Sequence, residues 1–234
     1  MSKINKPTAG VAIDEALNML NEQDSQKLLA EHEAQLAALP TDAKDTQRHQ
    51  LLLDIASDYL ALNRRQDAWD GARACLDYFL KDHNWQLAVE ACDVLYQCEH
   101  EDSIKALAQG VWLAVTFPIQ PQTTIGMLQH IIEETPPDSD GAAVAAVSAH
   151  YIAGLRAQGE QAESLSFLTT QLIAQVAQRH SQIRDQDTLD FWLEKLELND
   201  PAVFLPKLGK VLEIIAEDKW WFDRDQLRRL IPDN

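Results

Sequence analysis

Residues 49–79 read HQLLLDIASDYLALNRRQDAWDGARACLDYF, and the spacing of their apolar side chains decides the fold. Leu51, Leu52, Ile55, Tyr59 and Leu60 recur at three- and four-residue steps, which places them on one face of a helix. Asn63-Arg64-Arg65 interrupts the pattern, which restarts at once with Ala68, Trp69, Ala72, Leu76 and Phe79. Two amphipathic helices joined by so short a turn fold back antiparallel, because only then are both apolar faces buried together. The segment reads as a helical hairpin.

The same grammar extends in both directions. Upstream, helix-favouring sequence covers about 11–38 and stops at Pro40, with Thr41-Asp42 as N-cap residues for the next helix. Downstream, Asn84 can cap a helix carrying Leu87, Ala91, Val94 and Leu95, and Asp102 or Ser103 can open another running to about Thr116. Phe117-Pro118-Ile119-Gln120-Pro121 breaks the pattern, since proline lacks an amide donor and restricts its predecessor. A helix over about 123–133 follows, then Thr135-Pro136-Pro137-Asp138-Ser139-Asp140-Gly141, the strongest loop in the chain. Beyond it lie an alanine-rich helix over about 141–157, a turn at Gly159 and a long helix to about His180. Leu189, Trp192, Leu193 and Leu196 mark another helix, and Leu208, Val211, Leu212 and Ile215 the next. Asp223 and Gln226 have capping-box spacing at the start of a last short helix, which Pro232 ends. Runs of alternating strand type are missing. The expected fold is all-α, about ten helices in stacked antiparallel hairpins, either a solenoid or an irregular bundle. The 135–141 loop marks off an N-terminal hairpin region, 1–134, from a C-terminal helical region, 142–234, packed on it in what can be one continuous domain.

Within 49–117 the hairpins repeat. Relative to Ala56, Tyr59 stands at +3, Ala68 at +12 and Cys75 at +19; relative to Ala91, the same offsets give Val94, Ser103 and Gly110. Small side chains at 0, +12 and +19 let helices approach closely. The spacing resembles the tetratricopeptide repeat, over less than a third of the chain. Departures are present: that family's glycine before the turn is Asn63 in the first unit and Cys98 in the second, and its closing proline is Leu80 in the first. The resemblance implies that the first helix of each unit lines a concave groove, through Gln50, Leu53, Ser57 and Leu60 and then Trp85, Ala88, Cys92 and Leu95. That lining is more apolar than basic, which suits a helix or extended segment of another protein. It lacks the basic and asparagine clamp with which some members of that family hold a peptide carboxylate.

Charge excludes whole classes of ligand. With 20 Lys and Arg against 37 Asp and Glu, the formal charge is -17, and the acidic excess is spread along the chain. Such a surface repels a phosphate backbone and an anionic membrane, so neither nucleic acid nor membrane is an expected partner. No secretory segment follows Met1-Ser2-Lys3, and the three cysteines, Cys75, Cys92 and Cys98, read as free thiols, so a cytoplasmic protein is expected. Cys92, Cys98 and His100 match no common zinc spacing and read as packed thiols beside a helix-end histidine.

No phosphate-binding loop, nucleophile elbow or paired-histidine metal motif occurs, so no catalytic residue, cofactor site or metal ligand is assigned. His130 beside Glu133-Glu134 and Glu31-His32-Glu33 read as solvated helix-surface clusters. Trp220-Trp221-Phe222 is the densest aromatic stretch; it seals the end of the helical stack or meets a partner. Arg224 and Arg228-Arg229 form a basic island that complements a helix C-terminus. The expected function is a non-catalytic protein-interaction module, an adaptor or assembly factor. Its expected partner-binding residues are Leu53, Leu60, Trp85, Leu95, Trp220, Trp221 and Phe222. The alternatives are a dedicated maturation chaperone and, from another class, an all-α enzyme or small-ligand binder with a pocket near 117–141.

Overall fold

The computed structural model describes residues 9–231; Met1-Ser2-Lys3 and Pro232 lie outside the described residues. It contains eleven helices and no strand among those residues: α1 (Ala9–Ala38), α2 (Asp45–Ala61), α3 (Arg65–Lys81), α4 (Trp85–Gln97), α5 (Ser103–Thr116) and α6 (Pro121–Glu134), followed by α7 (Asp140–Arg156), α8 (Gly159–Ser181), α9 (Gln186–Lys195), α10 (Pro201–Ala216) and α11 (Arg224–Arg228). The all-α reading therefore stands, in a stack of antiparallel hairpins. Side-chain caps start several helices: Asn84 accepts from the Leu87 amide, Ser139 from Gly141, Asp185 from Thr188 and Asp200 from Ala202. Thr41 and Asp42 are not the caps of α2. That helix starts at Asp45, with Lys44 extended before it. Pro121 does not merely break the chain but opens α6, because the first helical position needs no amide donor.

The hairpin turns share one device. Asn63, His83, Glu99, Gln182 and Glu197 each adopt a left-handed backbone, with φ between 52° and 58°, without being glycine. Each follows the last turn of a helix, in a connection of three to five residues.

From α1 to α8, each helix packs against its neighbours in sequence. The even-numbered helices also touch in succession, α2 on α4, α4 on α6 and α6 on α8, forming one layer. α10 returns to pack across α5 and α7, which explains the alanines of α7. With α6, α8 and α10 around it, that helix is buried from Gly141 through Ala149 and has room for small side chains only. α6 and α7 pack closely across the 135–141 loop, so the core runs through it without interruption. Phe79, Leu76, Leu95, Leu107, Leu113, Phe117 and Leu128 are fully buried, each contributing roughly 1.5–3 kcal/mol of apolar burial.

Two polar features tie the layers. The guanidinium of Arg156, at the end of α7, donates to the carbonyls of Ala114 and Val115 and to Thr124 Oγ1, at 2.8, 3.0 and 3.1 Å. It thereby satisfies the last carbonyls of α5, and burial pushes its pKa below the ordinary arginine value. Gly110 of α5 lies where a Cβ would stand 2.7 Å from the Cys92 Cβ and 2.5 Å from the Met127 Cε. The missing side chain is what lets α4, α5 and α6 meet.

Candidate functional site

The expected apolar groove is not open. Leu53 is 4% exposed and Leu95 fully buried, and Ala88 and Cys92 are likewise buried. Leu53 of α2 and Ala88, Cys92 and Leu95 of α4 are taken up by packing against neighbouring helices, so Leu53 and Leu95 are core residues rather than groove lining. Leu60 and Trp85 are half-buried against that core. Trp85 is sandwiched between His83 and Phe117, with ring centroids 5.2 and 3.9 Å away. Gln50 and Ser57 remain exposed.

The even-numbered layer presents polar side chains instead. Gln86 of α4 donates to Glu90 and to Thr123 of α6, Tyr96 donates to Glu134, and His130 Nε2 lies 3.0 Å from Asp93. His130 Nδ1 also faces Glu133 at 3.4 Å. The Asp93 hydrogen bond, aided by Glu133, raises the His130 pKa above the ordinary histidine value. His130 is thus a clamp between α4 and α6, and not simply part of a solvated cluster. In the same way His32 of α1 pairs with the buried Asp58 of α2 at 2.7 Å.

Further along this layer the surface opens. Between α6 and α8 is a hollow of about 210 Å³ bordered by Gln129, Glu133, Gln175 and Arg179. On the other side of Gln175, between α8 and the start of α9, lies an open trough of about 780 Å³. Gln171, Gln175 and Gln178 line it at i, i+4 and i+7 of α8, opposite Arg184, Asp185 and Gln186. Arg179 fixes α8 on α6 by donating to the Ile132 carbonyl at 3.0 Å. A row of carboxamides offers paired donors and acceptors with no fixed charge, which matches the alternating N–H and C=O groups of an extended peptide. The glutamine spacing was legible in the sequence.

The chain itself contains such a pairing. Gln109 of α5, fully buried, donates from Nε2 to the Lys219 carbonyl at 3.2 Å and accepts from the Trp221 amide at 3.1 Å. One carboxamide therefore holds both backbone groups of a non-helical segment. That segment carries Trp220, Trp221 and Phe222, all half-buried, onto α3 and α5. Trp221 stands edge-on to Trp69 at 6.2 Å, under Arg73, while Trp220 and Phe222 lie against Trp112. Arg224 stacks 4.0 Å over Trp220, and Arg228 lies over Trp112. Arg224 and Arg228 serve these rings, and Arg228 also stands in the last turn of α11, the helix-end placement expected of the basic island. Asp223 caps α11 as expected, accepting from the amides of Asp225 and Gln226.

Burial raises the thiol pKa of all three cysteines, to about 12 at Cys75 and about 11 at Cys98, and higher still at Cys92. Among the described residues no group of three or more His, Cys, Asp or Glu is placed to hold a metal ion. No helix there is long and apolar enough to cross a membrane.

A separate apolar pocket of about 230 Å³ lies at the 135–141 loop. Ile104, Leu107, Ile131, Pro136, Val211 and Ile215 line it, and Ile214, 74% exposed, stands at its rim. No protein-family model, curated protein or solved structure matches the chain.

Proposed function

We propose that this protein is a non-catalytic protein-interaction module, an adaptor or assembly factor, that takes an extended segment of a partner protein into the trough along α8. The observation that carries the reading is the file Gln171, Gln175 and Gln178 facing Arg184, Asp185 and Gln186 across an open cavity. Gln109, holding the backbone of Lys219 and Trp221, is the same chemistry realised within the chain. Partner selection follows charge as well. A surface with a formal charge of -17 favours a segment flanked by Lys or Arg and slows the approach of acidic ones. The tetratricopeptide-like spacing of 49–117 supports a scaffold role for the remaining helices.

Tagged protein, captured from lysate and analysed by mass spectrometry, tests this directly when compared with the Gln175→Ala/Gln178→Ala variant. One or a few proteins enriched by wild type and lost with the variant, at unchanged helicity, support the reading. Enrichment equal in both variants refutes the trough. A single dominant client would further narrow the role to a dedicated maturation chaperone.

One observation favours a second reading, a small-ligand binder. The apolar pocket between Ile104, Ile131 and Val211 has the size of a compact hydrophobic molecule and sits beside the 135–141 loop. Thermal stabilisation by an apolar metabolite, abolished by Ile131→Trp, would select it over the trough.

A further inference from the structure

The junction between α10 and the aromatic segment is strained in a way no other turn is. Glu217 and Asp218 both adopt left-handed backbone, with φ of 51° and 57°. Elsewhere in the described chain, left-handed residues occur singly. Two adjacent side-chain-bearing residues in this region are disfavoured, because each Cβ crowds its own following carbonyl.

What this hinge holds down is tethered lightly. Among the described residues, the hydrogen bonds from 219–231 to α3 and α5 are the two made by Gln109. The rest of the attachment is aromatic and cation–π contact at Trp69, Arg73 and Trp112, the burial of Leu227, and the ion pairs Arg224–Glu213 and, at the hinge itself, Lys105–Glu217. The indole Nε1 of Trp220 is buried with no hydrogen-bond partner, so the seat leaves one polar group unsatisfied. Residues 210–231 contain no glycine or proline, so α10 can continue as regular helix through 217–218.

We propose that the α3/α5 face is a docking surface for the 219–231 segment of a second copy of this chain, and that two copies exchange these segments. The occupant is fixed by the closed form itself, since the face already seats this sequence. Exchange preserves every contact that the segment makes on Trp69, Gln109 and Trp112. Only the hinge differs: Glu217 and Asp218 pass from left-handed to helical backbone as the segment reaches across to its partner. A short hinge under strain drives such an exchange, against the concentration-dependent cost of association. The inference is independent of the trough, which lies on the other helical layer.

Size-exclusion chromatography with light scattering tests it, after equilibration at about 10 µM to about 1 mM protein. Wild type is expected to pass from monomer to dimer across the range. Glu217→Gly/Asp218→Gly tolerates the closed hinge, since glycine takes left-handed backbone freely, and weakens the dimer about tenfold or more. Deletion of Glu217 and Asp218 prevents the segment from reaching its own face, and dimer persists at the lowest concentration. Circular dichroism confirms that each variant is folded, and the glycine variant, which preserves the observed backbone, serves even if the deletion does not fold. The Gln175→Ala/Gln178→Ala variant keeps the wild-type dimer affinity, so failure of the trough and failure of the exchange are distinguishable. Wild type that stays monomeric throughout, or a dimer whose affinity the glycine variant leaves unchanged, overturns the proposal.

Discussion

Gly110→Ala places two opposing effects in direct competition at the centre of the stack. Alanine is about 1 kcal/mol better than glycine inside a helix, so a Gly110 with free space around it would make the substitution stabilising. The space is not free. The new Cβ would stand 2.5 Å from the Met127 Cε and 2.7 Å from the Cys92 Cβ. Met127 ends in a flexible thioether but is itself buried, so its methyl must swing into filled core. The Cys92 Cβ is fixed to the backbone of α4 and can retreat only if that helix moves. Overpacking of this kind costs about 1–3 kcal/mol and falls at the upper end where the neighbour is backbone-bound. The net expectation is a loss of about 1–2 kcal/mol. Gly126→Ala is the control, since no heavy atom lies within 4 Å of its added Cβ, and it should gain up to about 1 kcal/mol. Urea unfolding followed by far-ultraviolet circular dichroism gives both values by linear extrapolation. In a Met127→Ala background the Gly110→Ala penalty should shrink without vanishing, because the Cys92 contact remains. Equal stabilities for Gly110→Ala and Gly126→Ala would refute the claim that Gly110 sets the approach of α4, α5 and α6.

Three other outcomes follow from the same packing. Arg156→Met removes the donors that satisfy the Ala114 and Val115 carbonyls and should cost about 1–3 kcal/mol in the same unfolding assay, since the carbonyls stay buried and unpaired. His130, whose pKa is raised mainly by Asp93, stabilises the fold fully below its unfolded value and ceases to do so as pH rises through its folded value. The destabilisation caused by His130→Asn should therefore be larger at about pH 5 than at about pH 8, by a few tenths to 1 kcal/mol for a partly exposed pair; an equal loss at both would contradict the Asp93 clamp. Cys75, Cys92 and Cys98 are buried with raised thiol pKa values, so a thiol reagent should label none of them rapidly in native protein and all of them in denaturant.

Fold class was legible because helix boundaries are written locally. Pro40, Asn84, the Pro118–Pro121 break and the 135–141 loop each act on their own neighbours, and the helices start or end at or near these residues. Thr41-Asp42 misled because a capping residue type is common in any turn, and α2 waits until Asp45. The site was less legible. Periodicity shows that Leu53 and Leu95 lie on an apolar face, but not that neighbouring helices cover it. Trp220-Trp221-Phe222 announced an anchor without naming its target, since Gln109 lies more than a hundred positions upstream. The glutamines of α8 carry no hydrophobic contrast. That they line one cavity appears only once Arg184-Asp185-Gln186 folds back opposite them.

If the α8 trough takes an extended peptide through its carboxamides, the preference is encoded in the peptides it selects. Panning a random peptide library on immobilised protein measures this most directly. The expected outcome is enrichment of sequences that bind in extended form and carry flanking Lys or Arg. Their affinity should fall about tenfold to a hundredfold in Gln175→Ala/Gln178→Ala, as expected for several lost hydrogen bonds. Enriched peptides that bind the variant as tightly as wild type, or no enrichment at all, would contradict it.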